Sequence, residues 1–423
     1  MLALLTALCL PAPARAAAGV PAVPQETQAV FDRYAGRIVK IHIMETGSGA
    51  KAELGTGFFV SAEGHVMTNY HVVARLVLHR DRYRAEIVDH SGDRHPISVL
   101  GVDVINDLAV VKADLAGQPF FRLAPAGLKQ GMRLYSLGYP HDIGITIVEG
   151  TYNGLIRTAL YPKIHFTGSL NPGMSGGPAI TASGDVAGVN VSTAGEQVGF
   201  LVPAEAAAAL MAKMAAAGAA GKPGSLLDDV RSQLLGHQET YFSDTLMAAG
   251  ETVRLGDFQL PSQPAPFFKC WGDAESSDEK TFRVTEHQCS TDDFVYISGG
   301  HRSGVIELTH RLIEGNGLNR FQFSRLYTDF FRKQEELVEG KEEDLTRFSC
   351  ETAVVNQDRL RMKTVFCMRG YRKLAGLYDV VLKAAVLGRA HDGLVTTLIL
   401  SGVSFDKALR LSRNFLEAVR WAK

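Results

Sequence analysis

The segment Asn171-Pro172-Gly173-Met174-Ser175-Gly176-Gly177-Pro178 constrains this chain more than any other. Its glycines and prolines exclude a helix interior and a central strand. Glycine lets consecutive backbone N–H groups turn toward one point beside a serine hydroxyl, which is the layout of a nucleophile with its own oxyanion hole. Because a serine in a glycine-rich turn is more often only a turn, the assignment depends on the upstream sequence.

Two upstream segments supply the partners that such a serine needs. Residues 56–73 predict two strands around a glycine turn, and the second strand ends close to His71. In the other segment, a short apolar strand directly follows Asp107. A base, an orienting carboxylate and a nucleophile therefore follow one another as His71, Asp107 and Ser175. This order is that of chymotrypsin-like double barrels and not that of subtilisin or the α/β-hydrolases.

Asp103 is a rival for the carboxylate role, since it lies four residues before Asp107. We favour Asp107 because it directly precedes the strand that is expected to be buried.

The three segments resemble trypsin-like serine proteases of the HtrA/Deg type. The matching stretches are residues 68–73 around the histidine, 107–110 around the aspartate and 171–178 around the serine, and residues 199–203 are similar to the family's last barrel strand. The resemblance covers residues 28–212. It implies a mostly β fold with a chymotrypsin-like double β-barrel, serine endopeptidase activity on polypeptide substrates, and no cofactor or metal.

The resemblance also implies an oxyanion hole made by the backbone N–H groups of Gly173 and Ser175. Met174, between them, is the one departure from the family pattern, which has Asn or Asp there. Because the donors are backbone groups, a changed side chain need not destroy the hole. A loop tilted enough to lose one donor would lose about 2.7–4 kcal/mol of transition-state stabilisation.

The substrate-binding residues are implied by the same alignment. Residues 188–193 correspond to the strand that pairs with an extended peptide, so we expect contacts from Val191, Ser192 and Thr193. Ser169, six residues before Ser175, aligns with the floor of the first specificity pocket. A neutral residue there disfavours a preference for Arg or Lys. The alternative interpretation is that Val189, Val191 and Phe200 belong only to the core.

Composition and the first residues predict an exported, water-soluble protein. Of 423 residues, 46% are hydrophobic and 21% charged, and the formal net charge is −1, which is ordinary for two or three globular domains. No basic cluster indicates nucleic-acid binding. Residues 1–16 predict a signal peptide that is too short to span a bilayer, so we expect a periplasmic or extracellular protein without stable membrane insertion.

Cysteine usage agrees with export. Besides Cys9 in the predicted signal peptide, the chain has four cysteines, Cys270, Cys289, Cys350 and Cys367. Four cysteines in an exported chain suggest two disulfides, with three possible connectivities. We favour the local pairs 270–289 and 350–367, each closing a loop of about 20 residues and stabilising the fold by roughly 3 kcal/mol on the chain-entropy model. A zinc site is the competing interpretation, and it lacks a Cys-x-x-Cys spacing.

Shifts in composition predict the domain organisation. Residues 26–39 have the apolar spacing of an amphipathic helix. The expected units are a signal peptide at 1–16, a protease domain at 26–215 with barrels at about 38–120 and 121–203, a linker at 216–226, and a separate α+β domain at 227–423.

The function of the C-terminal domain is the least determined by sequence. Its alternating strands and helices predict an α+β module, and it lacks the carboxylate-binding loop of the PDZ domain that normally follows in HtrA enzymes. Binding a protein partner, inhibiting the protease and tethering it to a surface are its open roles; partner binding is the commonest for an appended domain.

The whole sequence favours an exported serine endopeptidase in envelope protein quality control or processing. The alternative is a catalytically silent binding or scaffold protein that retains the protease fold, motivated by Met174 and the unfamiliar C-terminal domain. A remoter option is an esterase or other acyl-transferase that uses the same residues.

Overall fold

A computed structural model describes residues 25–123, 127–156, 159–219, 225–241, 250–275, 281–333, 342–357 and 359–422. The predicted signal peptide at 1–16 lies outside the described residues, as do residues 220–224 of the predicted linker. No helix in these ranges is long and apolar enough to cross a bilayer.

The first barrel begins after helix α1 (Gln25–Tyr34) and a 3-10 turn at Ala35–Arg37. The helix that was expected over residues 26–39 therefore ends at Tyr34, and the last residues of that range belong to the 3-10 turn and to β1. β-Branched residues begin at Ile38, and these favour a strand. Six strands close the barrel in the order β1-β2-β3-β6-β5-β4, and helix α2 (Tyr70–Leu78) follows β3. The strands are β1 (Ile38–Glu45), β2 (Lys51–Phe59), β3 (His65–Thr68), β4 (Tyr83–Val88), β5 (Arg94–Asp103) and β6 (Leu108–Ala113).

The second barrel repeats this architecture. Its six strands close in the order β10-β11-β12-β9-β8-β7, and the glycine-rich serine segment forms the turn before β10. The strands are β7 (Arg133–Gly138), β8 (Thr146–Leu155), β9 (Ile164–Thr167), β10 (Pro178–Ile180), β11 (Val186–Thr193) and β12 (Gly199–Pro203), with a 3-10 turn at Pro140–Asp142. Two closed six-stranded barrels confirm the expected double-barrel fold.

Two helices follow the barrels. Helix α3 (Ala204–Ala219) packs its Leu210 into the core of buried residues that both barrels share. Helix α4 (Leu226–Tyr241) places Val230 and Leu234 in the core of the first barrel, where they are at most 2% exposed. The segment that leads to the C-terminal domain is thus packed against the first barrel.

The C-terminal domain is built on an antiparallel sheet of seven strands in the order β15-β16-β19-β23-β22-β21-β20. A three-stranded sheet, β13-β14-β24, and a hairpin, β17-β18, accompany it. Helix α6 packs Leu411 and Phe415 against the large sheet, and helix α5 packs Phe323 there. This β-rich domain with helices agrees with the α+β prediction.

The elements of this domain are β13 (Thr252–Leu255), β14 (Phe258–Pro261), β15 (Phe268–Glu275), β16 (Phe282–Thr291), β17 (Val295–Ser298), β18 (His301–Ser303), β19 (Ile306–Gly315), α5 (Arg320–Arg332), β20 (Ser349–Gln357), β21 (Leu360–Gly370), β22 (Tyr378–Val386), β23 (Asp392–Val403), α6 (Phe405–Ala418) and β24 (Arg420–Trp421).

Disulfide bonds join the outer strand pairs of the large sheet. Cys270 on β15 bonds to Cys289 on β16, and Cys350 on β20 bonds to Cys367 on β21. In both cases the two residues are directly opposite each other in the antiparallel register. Each bond fixes an edge strand to its neighbour.

The C-terminal domain shares a core with the first barrel. Val295 and Ile297 of β17 are each 2% exposed and belong to the same cluster of buried residues as Val73 and Val77 of α2. Burying apolar side chains stabilises a contact by roughly 25 cal/mol per Å². The hairpin is therefore anchored on the helix that carries His71.

Candidate active site

His71 and Asp107 are joined by two hydrogen bonds. The backbone N–H of His71 donates to Oδ1 of Asp107 over 2.8 Å, and Nδ1 of the His71 ring lies 2.6 Å from Oδ2. The two side chains are 24% and 17% exposed. The carboxylate therefore fixes both the start of helix α2 and the orientation of the imidazole.

Asp107 is itself held in an uncommon backbone conformation. Its φ is +54°, which lies in the left-handed region that Asp tolerates better than most residues. Its carbonyl accepts hydrogen bonds from the side-chain amide of Asn69 and from the backbone N–H of Tyr70. The turn before β6 is thereby tied to the start of α2 through both the main chain and the side chain.

The rival carboxylate is engaged elsewhere. Asp103 accepts hydrogen bonds from the backbone N–H and the side-chain amide of Asn106, over 3.0 and 2.7 Å. It therefore caps the local turn, and the carboxylate that contacts His71 is that of Asp107.

The net electrostatic effect at His71 favours the imidazolium. Burial by itself lowers the pKa of His71, but the charge of Asp107, its hydrogen bond and the charge of Glu53 together raise it above the ordinary value. A group with a raised pKa in this position can accept a proton during a reaction and keep it long enough to pass it on.

The glycines around Ser175 are required by close backbone approaches. A Cβ at Gly173 would lie 2.4 Å from the carbonyl oxygen of Tyr139, and one at Gly176 would lie 2.2 Å from that of Thr56. Both glycines have positive φ, +97° and +86°, which side-chain-bearing residues rarely adopt. The turn therefore lies directly against β2 and the residue that follows β7.

Within that turn, two amides differ from their neighbours in their hydrogen bonds. Among the described residues, the N–H groups of Gly173 and Ser175 make no hydrogen bond, whereas those of Met174, Gly176 and Gly177 donate to carbonyls. A pair of available N–H groups beside a serine is the arrangement that stabilises a developing oxyanion.

The Ser175 turn lies next to the start of α2. A Cβ at Gly176 would be 3.0 Å from the backbone nitrogen of Asn69, two residues before His71. Within the described ranges no hydrogen bond joins the Ser175 hydroxyl to the His71 ring, whose bond goes to Asp107. Such catalytic hydrogen bonds often tighten only when substrate binds.

Met174 faces away from this surface. Its side chain is 0% exposed and lies in the core of the second barrel with Leu134, Ile164, Phe166, Leu170, Ala179, Ala187 and Leu201. The residue between the two free amides therefore anchors the turn by apolar packing, which the sequence pattern did not reveal.

Three of the four residues expected to contact substrate are exposed. Ser192 and Thr193, at the end of β11, are exposed, and Val191 is half-buried at an irregularity in the β11–β12 pairing. Ser169 is exposed after β9. Asn190, which sequence reasoning passed over, is buried and joins β11 to the serine turn by accepting from Gly176 N–H over 2.9 Å.

One group of candidate metal ligands coincides with a disulfide. Cys270, His287 and Cys289 lie within ligand distance of one another, but both sulfurs are bonded to each other. The thiolate is the form that binds metals, so the disulfide accounts for this pair.

Comparison with known proteins finds relatives of the N-terminal half of the chain. Residues 55–189 match the family described as trypsin-like peptidase domain. A probable periplasmic DegP-like serine endoprotease of Chlamydia pneumoniae is 33% identical over 164 residues, which are 36% of this chain and 32% of that protein. The chloroplastic protease Do-like 5 of Arabidopsis thaliana is 32% identical over 154 residues, 33% of this chain and 48% of that protein. The serine endoprotease structure from Yersinia pestis aligns with 25% identity and a TM-score of 0.40, covering 45% of this chain and 67% of that one.

Residues 55–189 thus match a trypsin-like peptidase domain. The resemblance to the HtrA/Deg type is confirmed by relatives that are named DegP-like and Do-like serine proteases. The chain aligns with less than half of the length of these curated relatives, 32% and 48%.

The coupling of His71 to Asp107 has a measurable titration. We expect NMR to give His71 a pKa above 6.5, its ordinary value, and Asp107→Asn to bring it below 6.5, because burial then dominates. Asp103→Asn, the matched control, should leave the pKa of His71 unchanged.

The same pair makes stability depend on pH. Since the pKa of His71 is higher in the folded than in the unfolded protein, the pair stabilises the fold fully below pH 6.5 and ceases to do so as pH rises through the raised pKa. Equal His71 pKa values in the wild type and Asp107→Asn would contradict this coupling.

The apolar packing of the Met174 side chain leads to a prediction about stability. Met174→Leu nearly conserves volume and should change the free energy of unfolding by less than about 1.5 kcal/mol. Met174→Asn restores a family-typical residue but places an amide among apolar side chains, and should destabilise the protein by about 1–3 kcal/mol. Urea unfolding of both variants measures the difference. If the Met174→Asn variant were as stable as Met174→Leu, the prediction would be wrong, and the side chain at position 174 would have to point to solvent.

Proposed function

We propose that this protein is an exported serine endopeptidase that cleaves polypeptides through Ser175, His71 and Asp107. The observation that carries the proposal is the two-point contact between Asp107 and His71, next to a glycine turn with two available amides. Its relatives carry the name serine endoprotease, which supports the same reaction class.

The reaction proceeds in two halves. Ser175 Oγ attacks the scissile carbonyl carbon while His71 takes the hydroxyl proton, and the N–H groups of Gly173 and Ser175 bind the resulting oxyanion. His71 then gives the proton to the departing amine, leaving an acyl-enzyme. Water, deprotonated by His71, attacks the ester and releases the acid and Ser175. Asp107 holds the ring tautomer and stabilises the imidazolium.

Substrates are taken as extended peptides. The exposed end of β11, with Ser192 and Thr193, offers backbone groups for strand pairing beside the serine turn. An uncharged Ser169 provides no carboxylate for an Arg or Lys side chain, so we propose a preference for small or medium aliphatic residues.

Export is part of the proposal. The apolar leader at 1–16 and the two disulfides of the C-terminal domain suit an oxidising compartment, and DegP-like relatives are described as periplasmic. Envelope protein quality control or processing is the role that fits this location.

A second candidate is a silent scaffold with a protease fold. It is favoured by one observation, the absence among the described residues of a hydrogen bond from the Ser175 hydroxyl to His71.

Hydrolysis of unfolded casein and of peptide libraries separates these functions. The wild type should cleave both, and Ser175→Ala should lose on the order of 10⁶-fold in kcat, as removal of a serine nucleophile does elsewhere. Asp107→Asn should lose about 10⁴-fold, whereas Asp103→Asn should remain close to wild type. Cleavage that survives Ser175→Ala, or an inert wild type, would contradict endopeptidase activity at this site.

A further inference from the structure

An aromatic ring of the C-terminal domain, that of Tyr296 on β17, lies beside His71. Its centroid lies 5.8 Å from that of the imidazole, with an interplanar angle of 68°. It also meets the ring of Tyr70, the residue before His71, at 6.4 Å and 71°. Edge-to-face pairs at these separations are favourable beyond the area that they bury.

Building on the proposed function, we propose that Tyr296 is a positioning residue of the protease site. Its ring covers one side of the His71 imidazole, limits the rotation of that ring and keeps water from the His71–Asp107 hydrogen bond. The C-terminal domain thereby completes the active site of the N-terminal half.

The His71 imidazole ring is held by a hydrogen bond at only one of its atoms among the described residues, and this is why a second contact matters. Asp107 fixes the imidazole at Nδ1, and the Ser175 hydroxyl makes no hydrogen bond to the ring within the described residues. A ring held at one atom can still swing about its χ angles. An aromatic wall against its side removes that freedom.

The hairpin that carries Tyr296 is fixed independently at several points. The hydroxyl of Tyr70 donates to the carbonyl of Ile297 over 3.1 Å. Just before the hairpin, the Asp293 carboxylate accepts from Lys163 Nζ and from the backbone N–H of Leu160, both over 2.7 Å. Asp293 thus binds the segment between β8 and β9 of the second barrel, whereas Ile297 binds the first barrel, so contacts with the two barrels flank Tyr296.

The surroundings of Tyr296 agree with a shielding role. Burial, followed by the negative charge of Glu53, raises the pKa of Tyr296 to about 12, so its ring stays neutral beside His71. Arg75 on α2 pairs with Glu53 over 3.3 Å, and these two charged groups and Asp107 are the ones that act on the tyrosine. A neutral ring next to the Asp–His pair lowers the local polarity and strengthens their interaction.

Peptide hydrolysis by full-length variants tests this role. Tyr296→Ala should lower kcat by roughly 10- to 100-fold, the effect of a misoriented catalytic group, with KM little changed. Tyr296→Phe keeps the ring and should restore kcat. The matched control is Phe294→Ala: Phe294 precedes the same hairpin, is 37% exposed and lies under Arg302 at 4.0 Å. This variant should behave as the wild type. An unchanged or increased kcat in Tyr296→Ala would overturn the proposal.

A second readout does not depend on activity. The low-field NMR resonance of the His71 Nδ1 proton reports how well its bond to Asp107 is shielded from exchange with water. It should broaden in Tyr296→Ala and persist in Tyr296→Phe and Phe294→Ala; a resonance equally sharp in all three overturns the proposal. If Tyr296→Ala does not fold, Tyr296→Leu takes its place in both measurements. Failure of Ser175→Ala to affect cleavage would instead refute the proposed function, while the resonance still reports on Tyr296.

Discussion

One buried threonine links the two halves of the candidate active site. Thr56 of β2 is 0% exposed, and its backbone N–H donates to the carbonyl of Ser175 over 2.9 Å. Its hydroxyl donates to the carbonyl of Gly173 over 2.6 Å and accepts from the N–H of Tyr139 over 2.9 Å. Unpaired buried polar groups cost about 1–3 kcal/mol each, so this set of bonds keeps the serine turn of the second barrel on the first barrel. The carbonyls of Gly173 and Ser175 are thereby both held by Thr56.

Shared packing joins the C-terminal domain to the barrels. Its large sheet has cores of its own, yet β17 and helix α4 contribute to the core of the first barrel. This core includes residues of the helix that begins at Tyr70 and carries His71, so the C-terminal domain packs against the element that holds the imidazole.

Sequence reasoning was most effective where one local pattern imposes one local structure. The glycine turn at 171–178, the strand that ends near His71 and the aspartate before β6 are all local signals, and the double barrel and the resemblance to HtrA/Deg proteases followed from them. The pairing of Asp107 and not Asp103 with His71 also has a local cause, because the Asp103 carboxylate is engaged in its own turn.

Contacts between residues far apart in the chain could not be predicted from the sequence. Nothing near Tyr296 distinguishes it from any other strand tyrosine, since its partner lies 225 positions earlier in the chain. Thr56 and Asn190 likewise act through bonds between elements far apart in sequence. Met174 was noticed as a departure from the family, but its direction depends on how the second barrel closes around it. Helix α1 ended earlier than its apolar spacing suggested because β-branched residues continue the same spacing into β1.

The most direct test is whether Ser175 is an activated nucleophile in the folded protein. The full-length protein would be treated with a fluorophosphonate and the adduct mapped by peptide mass spectrometry, beside a His71→Ala variant. If His71 activates Ser175, the wild type gives one adduct, on Ser175, and His71→Ala gives none. An unmodified Ser175 at neutral and mildly alkaline pH, or equal modification without His71, would contradict a working Ser175–His71 pair.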